Sequence, residues 1–413
     1  MTALSALNPD QRKQRDWQTI SLLGLIHASS HFFQLILPSL FWYLSRDFGY
    51  DYLELGFLVT CFFLVSGLGQ ASSGFIVDRV GPAPILFFGL GAFVVSAVLV
   101  AVAPTYSVLL CAAIIGGAGN SIFHPVDYSI INHRISPERL GHAFSVHGLT
   151  GNLGWAIAPL FITGLSSLYG WRVAVLLAAV VIALVLGLAF WYRHLWGQGQ
   201  SSNHEETELT QQSIRVTLAI LLKKPTLWGA FLFFAFSSMA LSAVQNYTIP
   251  LLSSLYSVSQ VLAGSTLSAY MVAAAIGMGL GGFLAGATPN TERIVFATLC
   301  AAGGLMLLLA LQIVSGQIAM LLVVFAGLFS GIAAPSRDML IRRVTPKGAT
   351  GTVYGLVYSG MDVGSSIAPT VFGYMVDAQF ARGPWFGAAF AFVMSGLLAV
   401  AVAQAANRTT SPS

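Results

Sequence analysis

His27, His31 and Gln34 are spaced four and three residues apart in an otherwise apolar stretch, which sets all three on one face of a helix. Asn120, His124 and Asp127 repeat that spacing, Tyr354, Tyr358 and Asp362 form a third stripe, and Arg337 and Asp338 follow directly on Pro335. An imidazole with an ordinary pKa of about 6.5 exchanges protons near neutral pH, and a carboxylate in apolar surroundings is pushed toward the same range. His27, His31, His124 and Asp127 are therefore candidate proton carriers. A histidine between helices also serves as a hydrogen-bonded structural residue, and Asp127 and Asp362 equally suit fixed pairs with a base. The guanidinium fork of Arg337 suits an anionic group of a substrate, or the neighbouring Asp338. Charged groups near the centre of a bilayer cost at least roughly 2.5–3.5 kcal/mol on insertion scales, so each stripe is expected to face inward.

Other chemistry is excluded by what these residues lack around them. The chain contains no phosphate-binding GxxxxGK[ST] loop, no GxSxG elbow and no HExxH pair. Cys61, Cys111 and Cys300 all lie in apolar runs with no CxxC spacing, so no disulfide framework, metal site or cofactor is expected. The reading is of a protein that is not an enzyme and is driven by an ion gradient.

The elements that must hold these stripes are membrane spans. Of the 413 residues 56% are hydrophobic and 8% charged, against about 25% charged in soluble domains. A bilayer core needs roughly 20 apolar residues per helix, and twelve such runs occur. Span one runs from Trp17 to Leu44, span four from Ser107 to Asn132, span five from Gly141 to Leu165 and span eleven from Thr352 to Met375. The first run is too long for a signal-peptide core and is expected to be retained. Lys and Arg gather in alternate loops, with Arg12, Lys13, Arg15, Arg79, Arg134, Arg139, Arg342, Arg343 and Lys347 on one side, which places both termini in the cytoplasm. Trp17, Trp42, Trp171, Trp191, Trp228 and Trp385 lie near span ends, where headgroup-level anchoring is expected.

A polar stretch from His194 to Lys224 separates six spans from six, giving bundles at 1–194 and 226–413 joined by a cytoplasmic linker at 195–225. The halves repeat in sequence. Arg134-Ile-Ser-Pro137 recurs as Arg343-Val-Thr-Pro346, Gly154-x-x-x-Ala158-Pro159 recurs as Gly364-x-x-x-Ala368-Pro369, and Pro125 answers Pro335. Parallel repeats of this kind indicate a secondary transporter.

Between spans two and three, Gly74-Phe-Ile-Val-Asp78-Arg79-Val-Gly81 resembles the GxxxD(R/K)xG cytoplasmic gate motif of the major facilitator superfamily. Gly119-Asn-Ser-Ile-Phe123-His124-Pro125 and Gly151-Asn152-Leu-Gly154 with Pro159 are similar to signatures of its fosmidomycin-resistance-type exporters, which also place a histidine where His27 stands. Val126 replaces that subgroup's acid after the FHP signature, with Asp127 one residue later, and His31 stands where a span-one acid is expected. The resemblance adds Asn152 and His147 of span five to the candidate site. It implies an all-α polytopic fold of two six-helix bundles, alternating access and proton-coupled export of a small organic compound, anionic or drug-like, across a bacterial inner membrane. The implied partners are substrate, proton and lipid, with no nucleic acid, and the chain is expected to be a monomer. Proton-symport uptake of a small carboxylate or metal chelate is the alternative within transport, and a non-transporting receptor or scaffold is the alternative outside it.

Overall fold

The computed structural model describes residues 8–196, 225–288, 290–344 and 350–410. The expected linker falls almost wholly outside them, as do the side chains of Gly74, Asp78, Asp338 and Tyr354. Among the described residues the regular structure is helical throughout. The helices are α1 (Pro9–Gln34), α2 (Ile36–Phe48), α3 (Tyr52–Val80), α4 (Pro82–Val102), α5 (Tyr106–Asn120), α6 (Phe123–Arg134), α7 (Leu140–Tyr169) and α8 (Trp171–Trp191). After the linker come α9 (Pro225–Tyr256), α10 (Gln260–Ala287), α11 (Thr291–Leu311), α12 (Gly316–Val344), α13 (Thr350–Asp377) and α14 (Gly383–Thr410). Eleven stretches among the described residues are long and apolar enough to cross a membrane. The remaining expected span, Thr352 to Met375, is the helix α13.

Two expected spans are each divided into two helices, and a proline explains both divisions. Pro38 has no N–H to offer the Gln34 carbonyl, and its ring crowds that carbonyl, so α1 ends there and Leu35 turns its N–H back to Phe32 at 3.3 Å. Pro125 stands in the same relation to Ser121, and the chain is interrupted between Asn120 and Phe123. Pro159, Pro250, Pro335 and Pro369 instead lie inside continuous helices. Helix α1 also begins well before Trp17. Asn8 caps it with a reciprocal pair, Gln11 N–H donating to Asn8 Oδ1 at 2.8 Å and Asn8 N–H to Gln11 Oε1 at 3.2 Å.

The described residues fall into two compact units. The first takes residues up to Leu37 together with those from Cys61 to the end of the first half. In it α7 lies along α1, and α4 lies against both α5 and α8. Asp16, 1% exposed, accepts a hydrogen bond from Arg139 Nη1 at 2.8 Å and ties the start of α1 to the turn before α7. The second unit joins Pro38–Thr60 to the second half of the chain. Asp377, at the end of α13, caps the start of α3 by accepting the N–H groups of Tyr52 at 3.0 Å and Leu53 at 2.7 Å. Thr60 lies 2.8 Å from the Thr370 hydroxyl on the same two helices. Elsewhere in this unit α10 lies along α12, and α9 contacts α13 and α14.

Helices in lipid gain no hydrophobic drive from one another, so small residues that let backbones touch determine which faces meet. A Cβ on Gly154 of α7 would strike the Ala28 carbonyl of α1, and one on Gly364 of α13 would strike the Ala235 carbonyl of α9. The repeated glycines thus do the same work in each unit. Gly81, the last residue of the loop motif, has a φ of +91° at the start of α4, a conformation that favours glycine. Trp171 and Trp385, each at the start of its helix, are buried within their units, whereas Trp191 and Trp228 are exposed.

Replacing Gly154 with Ala should lower the thermal midpoint of the detergent-purified protein, at an overpacking cost of about 1–3 kcal/mol. Gly164→Ala on the same helix, where the new methyl meets nothing within 4 Å, should leave it unchanged or raised. Equal midpoints for the two variants would refute the close-approach account.

Candidate functional site

The first unit gathers four imidazoles and one carboxylate from three helices. His27 and His31 come from α1, His124 and Asp127 from α6, and His147 from α7. Asp127 has no exposed surface. Its Oδ2 lies 2.9 Å from His27 Nδ1 and 3.1 Å from His147 Nε2. A carboxylate accepts only, so with the acid ionised both ring nitrogens donate to it and His27 Nε2 and His147 Nδ1 carry the lone pairs. The His27 and His147 rings stack at 3.5 Å between centroids with 23° between planes, and His31 lies 4.5 Å from His27. His124 completes the group, its ring centroid 5.5 Å from that of His27. His124 Nδ1 and Asp127 Oδ1 are buried without a hydrogen-bond partner.

Helix geometry explains the gathering. His147, Gly151 and Gly154 recur at four and three residues on α7, so the histidine and both glycines face α1 together. A Cβ on Gly151 would stand 3.0 Å from His27 Nε2 and 3.0 Å from His31 Nδ1, in the space the rings now use.

A second polar chain continues from the first. The His31 ring lies 4.2 Å from that of Trp155. Trp155 Nε1 donates to Gln34 Oε1 at 2.9 Å, Gln34 Nε2 to Asn120 Oδ1 at 3.0 Å, and Asn120 Nδ2 to Ser66 Oγ at 2.8 Å. The stripe expected to unite Asn120 with His124 and Asp127 is therefore split. The helix break after Asn120 turns the amide to Gln34 and Ser66, while His124 and Asp127 join the imidazoles. Asn152 stands apart, donating to the Gly148 carbonyl of its own helix at 3.0 Å. Trp155 and Ser66 were not anticipated. Trp155 carried a signal, lying eight residues after His147 on the glycine face of α7, but nothing local marked Ser66.

In the second unit Arg337 of α12 lies 5.1 Å over the ring of Phe234, which also lies 4.5 Å from the ring of Tyr358 of α13. Asp362 is one helical turn beyond Tyr358, its backbone carbonyl accepting the Ser366 hydroxyl at 2.7 Å. Arg79 is exposed at the end of α3. No metal ligands were expected, yet His27, His124 and His147 each offer a ring nitrogen within 4.8 Å of the others.

Membrane-spanning helices in a duplicated arrangement, with polar groups turned inward, define a polytopic membrane transporter. A model of the Major Facilitator Superfamily matches residues 22–369, and the chain belongs to that family. It is similar to the MFS-type transporter YfnC of Bacillus subtilis (strain 168), 27% identical over 92% of this chain and 91% of that one. It is also 28% identical to the fosmidomycin resistance protein of Escherichia coli (strain K12), over 49% of this chain and 51% of that one. Among solved structures, a bacterial homolog of the human lysosomal transporter Spinster matches with a TM-score of 0.74, 18% identity and coverage of 97% and 99% of the two chains. The nucleoside transporter NupG matches with a TM-score of 0.73 at 12% identity, covering 95% of this chain and 100% of that one. The fold is that of an alternating-access secondary transporter, not an enzyme.

Asp127→Ala strands the donors of His27 and His147, at a cost of about 1–3 kcal/mol for each group left unsatisfied. Asp127→Asn keeps one acceptor oxygen. Thermal unfolding in detergent should rank wild type above Asn and Asn above Ala, and an Ala variant as stable as wild type would show that the acid is not the hub of the network.

Proposed function

We propose that the chain is a proton-coupled exporter of a small organic compound, residing in a bacterial inner membrane with both termini in the cytoplasm. The observation that carries this reading is the buried cluster centred on Asp127, in which one carboxylate oxygen takes hydrogen bonds from two imidazoles while a third and fourth lie alongside. Such groups exchange protons by small changes of partner and need no cofactor. The chain has no nucleotide-binding motif, which favours an ion gradient as the drive. The similarity to a fosmidomycin resistance protein favours outward transport of a drug-like or anionic compound. Arg337, held over Phe234 and beside Tyr358 through that ring, supplies the cationic group that an anionic substrate would engage.

The test is proton movement in proteoliposomes loaded with a pH-sensitive dye and challenged with a phosphonate, mono- and dicarboxylates, a lipophilic cation and a ferric chelate. One class should evoke a flux that saturates and that falls at least tenfold in Asp127→Asn and His31→Ala. Substrate flux without proton movement would overturn the coupling, and a flux that does not saturate would indicate a channel. Substrate binding without flux would support a receptor.

Orientation is tested separately. A fluorescent protein fused after Ser413 should mature, and alkaline phosphatase at the same position should stay inactive; the reverse pattern would invert the proposed topology.

A further inference from the structure

We infer that the cluster around Asp127 is a binding site for a divalent first-row transition-metal ion of the zinc class, with His27, His124, His147 and Asp127 as its ligands. The spacing of the donors carries the argument. Ligand bonds of about 2.0–2.1 Å in tetrahedral geometry hold neighbouring donor atoms roughly 3.3 Å apart. Asp127 Oδ2 already lies 2.9 Å from His27 Nδ1 and 3.1 Å from His147 Nε2, so two of the donor–donor edges of such a tetrahedron are close to the required length. His124 offers the fourth. One of its ring nitrogens lies within 4.8 Å of a ring nitrogen of His27 and of one of His147, and its Nδ1 is buried without a hydrogen-bond partner. Asp127 Oδ1, also buried and unpartnered, leaves the carboxylate free to bind through either oxygen.

The donor set selects the ion. Three imidazoles and one carboxylate, with no thiolate, suit Zn²⁺, Co²⁺ and Ni²⁺, whereas Ca²⁺ and Mg²⁺ require six or more oxygens including water. Neutral imidazoles need lose no proton to bind. His27 moves its proton from Nδ1 to Nε2, His147 moves its own from Nε2 to Nδ1, and each freed lone pair points where a hydrogen bond stood. The absent side chain of Gly151 leaves room at His27 Nε2 for that proton, and the His27 and His147 rings, now stacked at 3.5 Å, tilt apart so that both in-plane lone pairs reach one ion. His31, 4.5 Å from His27, borders the site from the same helix.

The test uses the full-length, untagged protein in detergent, with His133, His142, His194 and His204 changed to Gln so that histidines outside the cluster contribute nothing. Zn²⁺ alone is titrated in competition with a chromogenic chelator, and Co²⁺ is titrated while its visible absorption is followed. We expect one ion per chain, intense absorption of tetrahedral cobalt, and affinity at least tenfold weaker in each of His124→Gln, His147→Gln and Asp127→Asn. Should a variant fail to fold, zinc-edge X-ray absorption of the parent protein decides, by the presence of imidazole scattering from three rings. No stoichiometric binding, the weak spectrum of octahedral cobalt, or affinity unchanged in the folded variants would overturn the assignment. Because binding is read on the metal alone, failure here leaves the proton-coupled transport reading intact, and failure of transport leaves the site testable.

Discussion

A carboxylate without solvent exposure governs the first unit. Removing an ionised acid from water is expensive unless donors replace the lost hydration, and an apolar helix bundle has few to offer. Asp127 obtains them from α1 and α7, which fixes the separation and rotation of those helices. The backbone contact at Gly154 and the bare space at Gly151 are then requirements, since a methyl group at either position would intrude on α1 or on its histidines. The break before Phe123 belongs to the same set of constraints. Without it, α5 and α6 would run as one helix, and Asn120 would share a face with His124 and Asp127 instead of turning to Gln34 and Ser66.

The duplication extends to backbone and stops short of chemistry. Gly154 and Gly364 make equivalent approaches to a neighbouring carbonyl, so each unit inherits the same helix pairing. Pro125 and Pro335 also correspond, yet the first follows a helix break and the second lies within a continuous helix. Around this shared frame the first unit carries imidazoles and a buried acid, and the second carries a guanidinium, aromatic rings and Asp362. A fold repeated in sequence thus holds two unlike sets of functional groups, in keeping with function residing in sites and not in architecture.

Local periodicity made much of this legible from sequence. The number of spans, the inward face of α1 and the candidacy of His27, His31, His124 and Asp127 all follow from spacing that a helix converts directly into a shared face. What stayed hidden depends on partners distant in sequence. Asp16 reads as one charge among several near the start of the chain, yet it is 1% exposed because Arg139 reaches it from 123 residues away. Trp385 is legible as a span-end residue, but its full burial is not, since position along a helix does not reveal which side its neighbours cover. Asp377 likewise gives no local sign that it caps a helix in the other half of the sequence.

Charge arithmetic links the cluster to what it can hold. With neutral imidazoles and an ionised Asp127, the group carries one negative charge in a medium that penalises any net charge. One added proton brings it to neutrality, whereas a divalent ion reverses its sign to +1. The site therefore favours cations over anions, and the two kinds of cation leave the unit in different electrostatic states. The second unit instead presents a guanidinium, that of Arg337 over Phe234. Cation-seeking and anion-seeking groups thus stand in separate units, so under the proposed function the proton and an anionic substrate would not compete for the same ligands.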